Sequence, residues 1–361
     1  MPTRVLIIDD SAFMRRALAA LLAKDADIQV IDTARNGEEG LAKIAQHKPD
    51  VCTLDLEMPV MDGMTTLSKI KLLPEPRPTV LVCSTLSVQG SQIALKALRL
   101  GAADVICKDP DAIGAGADTV RNDLCSRVKA ISPAAHEASV KAAKSAAPIA
   151  LKPHEYRTRE PSLVVLGSST GGPPVLERIL AGVPAEFNAP IVVAQHMPAL
   201  FTRSMSERLA DMCKISVKLA EHDCMLEPRT AYITLGGMHS RVYHMNGQRY
   251  RLQISAKPEA ALYKPSVNEL FASAALAAKD SALGIMLTGM GDDGKVGALA
   301  MHKAGAPILA QSAETCAVYG MPRAVIEAGV AHAMTPEAIT LAIKNLSTRS
   351  TVSGESRHAA A

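Results

Sequence analysis

Four short apolar runs in the first third of the chain each end in a residue that can handle a cation or a phosphoryl group. Asp9 and Asp10 follow Val5-Leu6-Ile7-Ile8, Asp55 follows Val51-Cys52-Thr53-Leu54, Ser84 follows the run 80–83, and Lys108 follows 105–107. Three carboxylates brought to one place repel one another unless a cation sits among them, and hard oxygen ligands with room for water suit Mg²⁺. A carboxylate can also attack phosphorus and become an aspartyl phosphate. Ser84 would then offer a hydroxyl, and Lys108 an ammonium, to hold the transferred group. The plainer use of such acids is to cap helices, but that does not account for a hydroxyl and a cation at the matching ends of two further runs.

A second set of reactive types lies after the middle of the chain. Leu163-Val-Val-Leu runs into Gly167-Ser168-Ser169-Thr170-Gly171-Gly172-Pro173-Pro174, which fits the G-x-S-x-G turn that lifts a nucleophilic serine above a sheet edge. The Lys-Ser/Thr of a Walker loop and the spaced G-x-G-x-x-G are both missing, which disfavours phosphate binding there. A serine hydroxyl needs a base, and the base needs an orienting acid. His196 directly follows Ile191-Val-Val-Ala-Gln, and Asp292 and Asp293 follow Leu283-Gly-Ile-Met-Leu-Thr, so three strand ends would present Ser, His and Asp together. Either aspartate fits this role by position. His239 and His244 flank a hairpin strand and are expected at the surface; His222 beside Cys224 is too small a set for a metal site.

These residues need rigid elements to carry them. Strands are predicted at 4–8, 28–33, 51–54, 80–83 and 105–107, alternating with amphipathic helices at 12–24, 38–46, 65–73 and 89–100. That alternation argues for a parallel sheet with helices on both faces, and ligands in such folds gather beyond the carboxyl ends of the strands. The same grammar returns at 163–166, 191–194, 215–218, 231–235 and 283–287, with one hairpin at 241–245 and 249–254 turning on Asn246-Gly247. Between the two halves an Ala-, Lys-, Ser- and Pro-rich stretch has few branched apolar residues and reads as a linker holding at most a short helix. The expectation is an α/β protein of two doubly wound parallel-sheet domains in tandem: 1–128, a flexible linker over 129–160, a second domain over 161–348 and a disordered tail over 349–361.

Composition removes several function classes. The chain has 361 residues, 48% hydrophobic and 21% charged, and 39 Lys plus Arg against 36 Asp plus Glu leave a net charge of +3. That balance gives no basic footprint for nucleic acid, and aromatics at 3% with no Trp give no base-stacking platform. No apolar stretch reaches the roughly 18 residues of a membrane span, and the first apolar run stops at two acids, unlike a signal peptide. The 7 cysteines include no Cys-x-x-Cys pair, and Cys52, Cys83 and Cys107 fall inside strand-like runs. A cytoplasmic protein with reduced thiols, without membrane insertion, is expected.

The first cluster, Val-Leu-Ile-Ile-Asp9-Asp10-Ser-Ala-Phe-Met-Arg with Leu-Asp55-Leu-Glu-Met-Pro-Val-Met-Asp-Gly, Ser84 and Lys108, resembles a response-regulator receiver domain of flavodoxin-like fold over residues 1 to about 128. The resemblance implies phosphorylation of Asp55 by a histidine kinase and Mg²⁺ held by Asp10, Asp55 and the Glu57 carbonyl with Asp9 nearby. It also implies switch roles for Ser84, or its neighbour Thr85, and for Lys108. The family lysine is usually followed by proline, whereas here Asp109 intervenes before Pro110, so a cis bond after Lys108 is not expected. Gly-Ser-Ser169-Thr-Gly-Gly, Gln195-His196-Met-Pro, Lys264-Pro-Ser-Val-Asn, Leu-Thr-Gly-Met-Gly-Asp-Asp293-Gly and Ala-Val-Tyr-Gly-Met-Pro-Arg323 resemble the chemotaxis protein-glutamate methylesterase domain, from about 162 to 346. That likeness implies Ser169 as nucleophile, His196 as base and Asp293 as orienting acid. Thr170 and the Met290 backbone would help at the oxyanion, and no cofactor is expected in this domain. The implied activity is a phosphorylation-activated hydrolase that releases methanol from glutamyl methyl esters of chemoreceptors and deamidates receptor glutamines. The rival readings are a receiver-controlled binding module with an inactive hydrolase domain, and a small-molecule serine esterase.

Overall fold

A computed structural model of the protein describes residues 1–85, 87–108, 117–145, 160–246, 249–259 and 261–355. The chain divides into two units, Met1–Ala142 and Ala143–Ala361. The first is built on β1 (Thr3–Ile8), β2 (Ile28–Ala34), β3 (Val51–Asp55), β4 (Thr79–Thr85) and β5 (Asp104–Lys108), in the order β2-β1-β3-β4-β5. All pairings are parallel. Val5 to Ile8 are fully buried, as a strand covered on both faces requires, and this is why the run is continuously rather than alternately apolar. The helices are α1 (Ala12–Leu22), α2 (Gly37–His47), α3 (Gly63–Lys71), α4 (Val88–Leu100) and α5 (Ala117–Ala130).

Local chemistry sets the ends of these helices. Ser11, Asn36, Asp62 and Ser87 each cap the helix that follows by accepting an amide hydrogen three residues on. Helix α1 turns Met14, Leu18, Leu21 and Leu22 to the core. Strand order reverses between β1 and β3, so Asp9, Asp10 and Asp55 come to the crevice where that reversal opens the sheet edge.

The stretch read as a linker begins with structure. Helix α5 runs to Ala130, and α6 spans Pro133–Ser145, with the Ser132 hydroxyl accepting from the Ala135 amide at 3.3 Å. Proline is harmless at a first helical position, and Ala and Lys are good helix formers. Residues 146–159 lie outside the described residues. So do Asp109 and Pro110, on which the expectation about the Lys108 loop falls, and Gly247 of the hairpin turn.

The second unit holds a seven-stranded sheet in the order β15-β14-β13-β6-β7-β10-β8. Its strands are β6 (Leu163–Ser168), β7 (Ile191–Gln195), β8 (Ser216–Leu219), β10 (Thr230–Ile233), β13 (Ala282–Met286), β14 (Ile308–Gln311) and β15 (His332–Met334). Every pairing in it is parallel. The helices are α7 (Gly172–Gly182), α8 (Ala199–Met212), α9 (Val267–Ala278), α10 (Lys295–Lys303), α11 (Met321–Glu327) and α12 (Pro336–Glu355). A small antiparallel sheet, β11 (His239–His244), β12 (Tyr250–Ser255) and β9 (Cys224–Met225), contains the expected hairpin. The last helix runs through Glu355, so the tail expected to be disordered from 349 is helical over its first part, and 356–361 lie outside the described residues. Strand order reverses between the parallel neighbours β6 and β13, which more than a hundred residues separate. The loops after these two strands therefore meet at one crevice.

Candidate functional site

In the first unit, burial and charge compete at close range. Asp9 and Asp55 are buried while Asp10 is exposed, and one carboxylate oxygen from each lies within 4.8 Å of the others. The Lys108 ammonium reaches the Asp9 carboxylate at 2.5 Å and the Asp55 carboxylate at 2.6 Å. Asp9 also accepts the Ser11 amide at 2.9 Å. Burial pushes the Asp55 carboxyl above its ordinary pKa, against the pull of Lys108. Burial likewise opposes the Lys108 charge, but Asp55 and Asp9 outweigh it and the ammonium is held above its usual value. Ser84 is buried, its hydroxyl donating to the Gly90 carbonyl at 3.2 Å, and it lines one small depression with Asp55, Glu57 and Gly90. The cluster thus offers hard oxygen donors beside one exposed carboxylate, a set that fits a hydrated Mg²⁺.

In the second unit, the elbow is built by sheet register. Ser168 pairs with Gln195, so Ser169 and His196 are the next residues out along β6 and β7, and the His196 amide donates to the Ser168 carbonyl at 3.0 Å. The Gln195 side chain ties the two loops together. It accepts from the Ser168 hydroxyl at 2.5 Å and donates to the Ser169 carbonyl at 2.9 Å. Gly172 opens α7 where a Cβ would stand 2.3 Å from that Gln195 carboxamide oxygen, so the helix can start this close to the elbow only with glycine.

The imidazole of His196 is buried and pairs through Nε2 with Asp293 Oδ2 at 2.9 Å. With Nε2 donating to the carboxylate, Nδ1 is left as the basic nitrogen, and it has no hydrogen-bond partner among the described residues. The Tyr263 ring lies flat on the imidazole, 4.5 Å between centroids and 10° between planes. Of the two aspartates open from the sequence, Asp293 is buried and meets His196, while Asp292 is exposed.

Asp293 sits on the amino end of α9. The Ser266 hydroxyl and the Val267 and Asn268 amides donate to its oxygens at 3.0, 2.7 and 3.0 Å. Burial opposes its ionisation, but His196 and these amides hold the carboxyl below the usual range. Negative charge at a helix amino terminus is favoured for the same reason. Thr288 locks the facing loop, its hydroxyl donating to the Thr170 carbonyl at 2.9 Å and its amide to the Gln311 side chain at 2.9 Å. The Met290 amide makes no hydrogen bond among the described residues.

Several of these contributors were outside the expected set. Tyr263, Ser266 and Thr288 sit beside the site without a role expected from the sequence, although Ser266 stands in Lys264-Pro-Ser-Val-Asn and Thr288 in Leu-Thr-Gly-Met-Gly-Asp-Asp293-Gly. His239, expected at the surface, is 1% exposed. It opens β11 against the α9 loop, and its Nδ1 accepts the Ser266 amide at 3.1 Å. His244, at the far end of the same strand, is exposed as expected.

Comparison with known proteins agrees with both halves of this architecture. A family model described as response regulator receiver domain matches residues 5–113, and one described as CheB methylesterase matches residues 164–343. A protein-glutamate methylesterase/protein-glutamine glutaminase of Oleidesulfovibrio alaskensis is 45% identical over 355 residues, covering 91% of this chain and 94% of that protein. Another from Nitratidesulfovibrio vulgaris is 44% identical, again covering 91% of this chain and 94% of that protein. The crystal structure of the Thermotoga maritima CheB methylesterase catalytic domain is 36% identical, covering 50% of this chain and 97% of that one, with a TM-score of 0.48. The chain belongs to the protein-glutamate methylesterase/protein-glutamine glutaminase family, hydrolases that carry a receiver domain.

Proposed function

We propose that this chain is a cytoplasmic, phosphorylation-activated hydrolase that demethylates glutamyl methyl esters on chemoreceptors and deamidates receptor glutamines. The observation that carries the reading is the His196–Asp293 pair at 2.9 Å, one strand end from Ser169, with the second imidazole nitrogen left unpartnered. Ser169 attacks the ester carbonyl and passes its proton to His196 Nδ1. Asp293 stabilises the imidazolium and fixes the ring. The oxyanion is met by the Thr170 side of the elbow and the Met290 amide. His196 then protonates the leaving methoxide, and methanol departs. Water, deprotonated by the same nitrogen, opens the acyl-serine to the glutamate and free Ser169. With glutamine the leaving group is ammonia and the remaining steps are the same.

In the receiver, Asp55 accepts the phosphoryl group from a chemotaxis histidine kinase, with Ser84 and Lys108 binding the product. Asp10, Asp55 and the Glu57 carbonyl would hold Mg²⁺ with Asp9 beside them, and the bound ion supplies charge neutralisation on the phosphoryl oxygens. No helix among the described residues is long and apolar enough to cross a membrane, and the substrate proposed is the receptor's cytoplasmic part. The test is methanol release from methylated receptor by the full chain. Turnover that needs Ser169 supports the reading. Binding without turnover, or turnover of generic esters alone, overturns it in favour of a binding module or a small-molecule esterase respectively.

A further inference from the structure

The proposed mechanism uses one buried histidine and leaves another unexplained. His239 is 1% exposed, and its Nδ1 accepts the Ser266 amide at 3.1 Å across a sequence separation of 27 residues. A ring nitrogen that accepts an amide hydrogen carries no proton, so the proton is on Nε2 and the ring is neutral. Nε2 is buried without a hydrogen-bond partner among the described residues, and the Pro258 carbonyl is close enough to the ring to favour its charged form. Burial is the main influence holding the ring neutral. Glu269 and the Pro258 carbonyl favour its charged form, while Lys264 and Arg241 oppose it.

What this bond fixes is the turn that presents Asp293 with its donors. Ser266 caps α9, accepting the Glu269 amide, and its hydroxyl donates to Asp293 Oδ1. The next two amides donate to the same carboxylate. A continuous path therefore runs from His239 through Ser266 and Asp293 to His196. Without an acceptor at Nδ1, the buried Ser266 amide would have to turn toward another partner and carry the three donors with it.

We propose that His239 is a positioning residue of the hydrolase, a neutral imidazole whose Nδ1 anchors the Ser266 amide and so sets the orientation of Asp293 and, through it, His196. The inference rests on the Ser169–His196–Asp293 reading. The test uses the full chain in the methanol-release assay, with thermal unfolding measured alongside. His239→Leu keeps the bulk and removes the acceptor; kcat is expected to fall about 10–100-fold at unchanged KM, the size of a small misplacement of a catalytic group. His239→Asn can return an acceptor oxygen near the Nδ1 position and should recover most of that loss. In an Asp293→Asn background His239→Leu should cost nothing further, because it acts through the carboxylate already lost.

Unchanged kcat in His239→Leu, failure of Asn to restore it, or an equal loss in both backgrounds overturns the inference and leaves the triad standing. Full activity of Asp293→Asn overturns the triad itself. Should His239→Leu not fold, imidazole ¹⁵N shifts of the wild-type chain decide. A neutral ring with bare Nδ1 at pH 7 is expected, and a proton on Nδ1 refutes the anchor.

Discussion

At the scale of single residues, the site separates two neighbouring aspartates that share a charge and a loop. Asp293 is buried against His196 and three donors, whereas Asp292 is exposed. Ser169→Ala and His196→Ala are each expected to lower kcat by a factor on the order of 10⁶, since the members of such a set act as one unit. Asp293→Asn should cost on the order of 10⁴ through the wrong tautomer of His196, while Asp292→Asn stays near wild type. Methanol release by the four purified variants checks the ranking, and a larger loss at Asp292 would show that the orienting acid is misassigned. Stability carries the same signature. A carboxyl held below its unfolded pKa, as Asp293 is, stabilises the fold above the unfolded value of about 3.9, and that contribution disappears as pH falls through the folded value. The gap in urea midpoint between wild type and Asp293→Asn should therefore be widest near pH 7 and close below about pH 4. A gap that widens in acid would contradict the assignment of the ionised state. Ser169, His196 and the aspartate pair could be singled out in the sequence because His196 directly follows an apolar run, and Ser169 and the aspartates follow theirs through short Gly-containing turns. The choice between Asp292 and Asp293 rested on resemblance, since spacing does not say which of two adjacent side chains turns inward.

At the scale of elements, what the sequence left out came from tertiary placement. The strands of the first unit appear where apolar runs predicted them; β1 and β3 are continuously apolar because they are buried on both faces, whereas β2 at the sheet edge is partly exposed and mixes in Gln29, Asp32 and Thr33. Strands β14 and β15 went unread: β15 is only three residues long, and the apolar content of both is what a loop could equally carry. His239 was misplaced because hairpin strands usually turn one face to water, and nothing local says that α9 covers this one. Tyr263 and Ser266 belong to a loop whose own sequence is silent about the imidazole and carboxylate it meets. Gly294 shows how tight that meeting is. It has φ +99°, and a Cβ there would lie 2.3 Å from Met286 Cε and 2.7 Å from Val267 Cγ1. Gly294→Ala combines left-handed strain of about 1–2 kcal/mol with overpacking of about 1–3 kcal/mol, and it lies next to Asp293. A lowered unfolding midpoint together with reduced methanol release is expected. A variant as stable and active as wild type would mean that the β13–α10 turn relaxes freely, and the fixed geometry argued for Asp293 would then lose its support.

At the scale of the whole molecule, the chain joins a receiver unit to a hydrolase unit, and the join has meaning only if the two equilibria are coupled. Lys108 lies within 2.6 Å of both Asp9 and Asp55 carboxylates, so a phosphoryl group arriving on Asp55 must displace or recruit that ammonium. Phosphorylation replaces the single charge of the Asp55 carboxylate with the roughly two charges of an acyl phosphate, a net gain of about one, and the buried Ser84 hydroxyl, now committed to the Gly90 carbonyl, is the donor within the same depression that can answer it. A two-state change at β4 and β5 is the local event such a charge can drive. If it shifts the population of the active hydrolase by tenfold, the coupling between the units is about 1.4 kcal/mol. Methanol release by the full chain should rise with a small-molecule phosphodonor and Mg²⁺. Asp55→Ala should abolish that rise. Removing divalent cations with EDTA should also abolish it, because the acidic cluster then has no counter-ion for the incoming phosphoryl group, while the basal rate, set by Ser169 and His196, persists. Stimulation that survives either Asp55→Ala or EDTA would place the activating event outside the acidic cluster. A basal rate that itself collapses in EDTA would mean that the hydrolase unit depends on a metal, which the pairing of His196 with Asp293 gives no reason to require.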